Sequence, residues 1–243
     1  MITGIFSGLA AAFFQDCGYV FSRLYVHAGR AASHLLVFTQ LLMGLVSLVL
    51  LPFIWHTGAV RDGGFLLPLF CCALCSMGGQ YFFFEAEKDV EPARISSLMG
   101  LRVVLLAIIS ALFFGERYDV LQVTGIVLAA GSAVLMNRSS GKHDAAGMGA
   151  LSMALLFYAV SDLSVWHLIR ALETDSILKS SLLAMSFASI LQALIALPGF
   201  LRMKTKREFV RALPFAGSWF IKQILLYLCY ALLGPVFGNV VMA

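Results

Sequence analysis

Eight stretches of this chain are each long and apolar enough to cross a bilayer, and only short connections are left between them. They cover about 2–26, 34–56, 65–86, 92–114, 118–137, 147–170, 177–201 and 212–234, and a further run starts near Pro235. A helix needs ~20 apolar residues to span the hydrocarbon core. A spanning strand would be shorter and would alternate in polarity, so a barrel is excluded. Inside lipid, each backbone N–H and C=O must find its partner within the protein, and helices do this locally. The expected fold class is all-α, a polytopic transmembrane helical bundle. Composition agrees: 60% of residues are hydrophobic and 12% charged, against ~25% charged in soluble domains.

The chain also repeats itself at an offset of 146 residues. Pro52 falls on Pro198, Pro68 on Pro214 and Asp16 on Asp162, with no gap between them. Five spans precede the second copy. Five is odd, so that copy enters from the opposite side, as two inverted repeats of five helices related by an axis in the membrane plane. The first repeat is expected over 1–137. The second, over 147–243, holds three helices and the start of a fourth. In this register Ser97 corresponds to Ala243, so the second repeat is expected to be truncated.

Basic residues set the expected orientation. Arg23, Arg30, Lys88, Arg94, Arg138, Lys142, Arg202, Lys204, Lys206, Arg207 and Arg211 lie at one set of alternate loops. Arg61, Arg117, Arg170 and Lys179 lie at the other. The first set is expected in the cytoplasm and the N-terminus outside, in a multi-pass protein of the cell (inner) membrane. The stretch from Arg202 to Arg211 also reads as a site for anionic lipid head groups.

Four charges fall within spans rather than at their ends: Asp16, Arg102, Asp162 and Lys222. An ionised group at the bilayer centre costs ~2.5–3.5 kcal/mol even on the lenient insertion scale. Such groups must therefore face protein or a water-filled cavity. Gly4, Gly8, Ala12 and Asp16 recur every four residues, as do Ala150, Ala154, Tyr158 and Asp162. This spacing predicts that both acids look inward along faces of mostly small residues. Three roles stay open for the quartet: a buried ion-pair network, a cationic grip on a substrate carboxylate or phosphate, and proton coupling through Asp16 or Asp162. Gln15, Gln80, Tyr81, Trp166 and Gln223 lie beside these positions and are read as lining a polar cavity, or alternatively as bonding helix to helix. His167 is placed at the membrane interface.

Other chemistry finds little support. The five cysteines all fall in apolar runs. Cys71, Cys72 and Cys75 have metal-like spacing, but their surroundings are apolar and no fourth ligand is near, so no metal is expected. There is no G-x-x-x-x-G-K-[ST], H-E-x-x-H or G-x-S-x-G pattern. No basic stripe lies on a polar surface, so no nucleic acid is expected. No cofactor is expected either, and the chain does not read as an enzyme.

The stretch YFFFEAEKDVEPARISSLMGLRVVLLAIISALFFGERYDVLQVTGIVLAAGSAVLMN, from Tyr81 to Asn137, resembles the EamA family of the drug/metabolite transporter superfamily. The features are a fourth span containing Ala and Ser, Phe114-Gly115-Glu116 at a tight turn, and Gln122 and Gly125 opening the fifth span. Gly115 allows the turn, and Glu116 is expected to cap the next helix, where the helix dipole favours an anion. The resemblance implies ten helices in two inverted halves around a central cavity. It also implies transport of small metabolites such as amino acids, nucleobases, sugars or toxic compounds, often outward. Where such proteins often carry a proline in the fourth span, this chain has Arg102 nearby, which points to a charged or acidic ligand. The expected function is secondary transport by alternating access, with the small-molecule substrate and the bilayer as partners and protons as a possible coupling ion. The alternatives are a fragment that is inactive or needs a partner supplying helices and, more remotely, a membrane-embedded enzyme. Oligomeric state is not legible.

Overall fold

A computed structural model describes residues 1–55, 63–90, 92–138, 145–172, 174, 176–203 and 208–242. Arg61, Lys142, Lys204, Lys206 and Arg207 of the charge tally, and Ala243 of the repeat register, lie outside the described residues. Among the described residues ten helices follow one another: α1 Ile2–His27, α2 Ala32–Ile54, α3 Leu66–Ala86, α4 Pro92–Met99, α5 Arg102–Phe114, α6 Val120–Arg138, α7 Ala145–Ala171, α8 Ile177–Arg202, α9 Phe209–Leu233 and α10 Pro235–Met242. Among the described residues there is no strand. By length and composition, five helices among the described residues qualify as membrane spans: α2, α3, α7, α8 and α9. α1 is as long as these, but Ser7, Gln15, Asp16 and Arg23 dilute its apolar character. α5 and α6 carry shorter apolar stretches.

The fourth span is not one helix. It breaks at Gly100 and Leu101 into α4 and α5, so Arg102 is the first residue of a helix rather than the middle of one. A second break separates α9 from α10 at Gly234, whose φ of +78° suits glycine. Pro235 then opens α10, where its missing N–H costs nothing.

Three antiparallel helix pairs build the core: α1 with α9, α3 with α7, and α2 with α8. Small residues let the backbones approach. A Cβ on Gly18 would lie 3.3 Å from the Trp219 ring, and one on Gly79 would lie 2.9 Å from the Tyr158 ring. Gly44 faces Ala193 across the third pair. Among the described residues three clusters fill the interior: an aromatic-rich one around Tyr25, Phe38, Phe83, Phe84, Phe215 and Trp219, one around Leu168, Leu172, Leu183, Tyr227 and Tyr230, and a smaller one around Val103, Leu106, Leu163 and Val236. Much of the outside is apolar too. Phe6, Phe13, Leu24, Val49, Phe53, Leu67, Leu112, Phe113 and Leu121 are all exposed. An apolar surface this continuous is stable only against lipid, and the protein is an integral, multi-pass membrane protein.

The α5–α6 corner departs from expectation in one detail. Gly115 does make the turn, with a φ of +65°. The cap of α6, however, is Asp119, whose Oδ1 accepts from the Gln122 N–H at 2.8 Å while Gln122 Oε1 accepts from the Asp119 N–H at 3.0 Å. Such a reciprocal box satisfies two orphan N–H groups at a helix start. Glu116 lies too early in the chain to reach them and accepts instead from the Tyr118 hydroxyl at 3.1 Å.

Candidate functional site

Three of the four intramembrane charges come together where α5, α7, α9 and α10 converge. Arg102 Nε lies 3.3 Å from Asp162 Oδ2, and both side chains are buried. Asn239 of α10 binds both partners. Its Oδ1 accepts from Arg102 Nη2, and its Nδ2 reaches Asp162 Oδ2 at 3.2 Å, the Tyr230 hydroxyl at 2.6 Å and the Pro235 carbonyl at 2.8 Å. The Arg102 guanidinium also sits 5.7 Å from the Tyr158 ring centre. Lys222 is buried but makes no ion pair within 4 Å among the described residues. Its Nζ lies 4.3 Å over the Trp219 ring, and its electrostatic neighbours are Arg102 and Asp162. A cation over an indole face is stabilised by the ring quadrupole.

Asp16 stands apart from this network. It is exposed rather than turned inward. The buried face of α1 runs through Gly4, Gly8, Ala11, Gln15, Gly18, Ser22 and Tyr25, with spacings that alternate four and three. A row of strict fours turns ~40° per step around a 3.6-residue helix, so by Asp16 it has left that face. Asp162 escapes this drift because α7 packs against α3, α5, α8, α9 and α10 and is covered on more sides. Asp16 instead lines a small cavity of about 70 Å³ with Gln15, Tyr19, Gly100, Arg102 and Asn239. Gln15 Oε1 is buried there without a hydrogen-bond partner among the described residues.

The remaining candidates scatter. Gln80 is buried and accepts from Gln40 Nε2 at 2.7 Å, so it joins α2 to α3. Tyr81 is exposed at 40% and packs edge-on against Phe82. Neither residue lines the small cavity, because Gln80 is held by Gln40 of α2 and Tyr81 turns outward. Trp166 stacks under Arg170 at 4.0 Å and lines a larger cavity of about 460 Å³ with Glu116, Arg117, Tyr118, Gly234, Pro235 and Phe237. Gln223 lies on α9 with its Oε1 buried. Asn239, Tyr230, Tyr19 and Trp219 were not singled out by sequence. Asn239 carried a signal, as the polar residue in the run after Pro235, and Trp219 and Tyr19 carried one in lying three residues from Lys222 and Asp16.

All five cysteines are free thiols, and Cys72 Sγ lies 3.3 Å from the Tyr227 hydroxyl. No curated protein matches the chain. A family model does: that of the EamA-like transporter family matches residues 2–138, more than half of the chain.

Proposed function

Because the chain belongs to the EamA-like transporter family, and so to membrane transporters of the drug/metabolite type, we propose that it carries a small metabolite with an acidic group by alternating access. The observation that carries this reading is the shared wall of Asp16 and Arg102 at the break of the fourth span, with Gln15 Oε1 unsatisfied beside them. Broken helices at midplane are where transporters of this general kind place their substrates, because half-helix N-termini and freed backbone groups bind ions there. Arg102 offers more guanidinium N–H groups than Asp162 and Asn239 use, and a carboxylate suits that fork.

At about 70 Å³ the cavity holds little more than water, so loading requires movement. α10 is the element placed to move. Its Asn239 and Met242 line the small cavity, while its Pro235, Phe237 and Val240 line the large one. The Gly234 hinge lets α10 swing as a unit between them.

The two-repeat organisation, 1–137 and 147–243, belongs to the same proposal. Shifting the Gly18–Trp219 contact by 146 in each direction gives Ser164 and Ala73. That pair lies in the same antiparallel register in which Gly79 meets Tyr158. The α1·α9 and α3·α7 pairs thus exchange under the offset, which supports a two-fold relation between the halves.

Transport in proteoliposomes, with labelled amino acids, nucleobases and simple organic acids under an imposed pH gradient, tests the reading. Removing Arg102 alone strands a buried Asp162, at ~3–5 kcal/mol, so a neutral pair is the better probe. The double variant Arg102→Gln/Asp162→Asn is expected to fold and to lose transport of acidic substrates by at least tenfold. Asp16→Asn, at an exposed position, is expected to lose pH-driven accumulation while retaining exchange. Wild-type transport rates in the double variant would sink the Arg102 site, and unchanged accumulation in Asp16→Asn would remove Asp16 from coupling.

A further inference from the structure

Outside the Arg102 network lies a second buried acid. Glu87 caps the C-terminus of α3 and is 4% exposed. Its Oε1 accepts from Ser22 Oγ at 2.7 Å, and Ser22 is itself fully buried. Its Oε2 is buried without a hydrogen-bond partner among the described residues. An ionised carboxylate half satisfied in this way is costly. A proton on this carboxyl removes that cost and needs no room.

Ser22 gives this acid a reader. Its hydroxyl lies 2.7 Å from Glu87 Oε1 and also 3.1 Å from the backbone carbonyl of Tyr19. A serine has one hydroxyl hydrogen to donate and lone pairs with which to accept. With Glu87 ionised, that hydrogen goes to the carboxylate. With Glu87 protonated, the carboxyl O–H donates to Ser22 Oγ, and the serine hydrogen is free for Tyr19. Tyr19 lines the small cavity with Asp16 and Arg102, and it also lines a second cavity of about 160 Å³ with Arg23, Phe83, Glu87 and Ile95. Its ring stacks on Phe83 at 4.6 Å and leans toward Trp219 at 6.5 Å.

We propose that Glu87 and Ser22 form a proton-binding switch that sets the hold on Tyr19, the residue standing between the central cavity and the cavity at the α1–α3 seam. One proton is taken up and one O–H bond formed, and no other reactant is needed. The groups that face Glu87 are Arg23 and Tyr19 on α1 and Tyr158 on α7, with Arg94 beside the cavity-lining Ile95 on α4. Within its own turn, Glu85 and Lys88 pair with each other at 2.6 Å. Burial pushes the Glu87 carboxyl up to about 8, against the pull of the Ser22 hydrogen bond and the Arg23 charge. The effect on a substrate path rests on the transport reading, whereas the titration does not.

Infrared titration of the whole chain in lipid nanodiscs tests the switch. The carbonyl band of a protonated carboxyl is expected to disappear with a midpoint near 8 in the wild type and to be missing in Glu87→Gln. Ser22→Ala removes a bond that is stronger to the ionised form than to the protonated one, so its midpoint moves up. In protein labelled with carbon-13 at the tyrosine carbonyls, an amide band is expected to shift with the same midpoint, and Ser22→Ala abolishes that shift. A wild type with no carboxyl titrating above the ordinary glutamate range overturns the proposal. So does a band that survives Glu87→Gln and vanishes in Asp16→Asn. Should Glu87→Gln fail to fold, the Ser22→Ala midpoint decides, because an unmoved midpoint also overturns the proposal.

Discussion

Asn239 ties Arg102, Asp162, Tyr230 and the Pro235 carbonyl together, and its two amide hydrogens are shared among three acceptors. Truncating it leaves buried polar groups unsatisfied, which costs ~1–3 kcal/mol. Asn239→Ala is expected to lower the apparent melting temperature in detergent, and Asn239→Leu to do so at least as much. A variant as stable as the wild type would show that Arg102 and Asp162 need no third partner. At this scale the sequence was only partly legible. Charge within an apolar run marked Asp16, Arg102, Asp162 and Lys222 as costly wherever they lay. Which of them meet depends on how each helix is rotated. Asp16 left its small-residue face because the spacing of four drifts, whereas Lys222 lies over the indole of Trp219, its i−3 neighbour on α9, a pairing that helix spacing makes legible.

Helix ends carry the next level of information. The α5–α6 corner was readable because glycine and an acid stand where a turn needs them, although the cap proved to be Asp119, three residues after Glu116. Asp119→Ala is expected to cost ~1 kcal/mol and to raise amide hydrogen exchange in the first turn of α6. Glu116→Ala is expected to leave that exchange unchanged. Equal protection in both variants would mean that the box contributes nothing. The break in the fourth span was only weakly marked: Gly100 stands inside the run from Pro92 to Phe114, and the chain turns there with Arg102 placed beside Asp162 and Asn239. The break at Gly234-Pro235 does have a local signature, a left-handed glycine followed by a proline.

Across the whole molecule, one acid joins three helices at one end of the bundle. Glu208, just ahead of α9, accepts from the Tyr25 hydroxyl of α1 at 3.1 Å and lies 3.3 Å from His34 Nδ1 of α2. Burial pushes the Glu208 carboxyl up, but hydrogen bonds from His34 and Tyr25 and the charges of His34 and Arg30 outweigh it, so it titrates below the ordinary 4.5. A lowered folded value means that the stabilisation is fully present above 4.5 and is lost as pH falls through the folded value. Melting temperature against pH is therefore expected to fall more steeply below pH 4.5 in the wild type than in Glu208→Gln; parallel curves would show that the clasp does not stabilise the fold. Class and family were legible in the sequence itself: an all-helical membrane bundle of the EamA-like transporter family. Lipid leaves the backbone no other way to satisfy its hydrogen bonds, and that constraint acts locally along the chain. Only the tertiary structure decided that Arg102 pairs with Asp162 through Asn239, that Asp16 opens to a cavity, and that Ser22 stands between Glu87 and Tyr19. Those contacts depend on helix rotation, breaks and depth, which are settled when separate helices pack and not before.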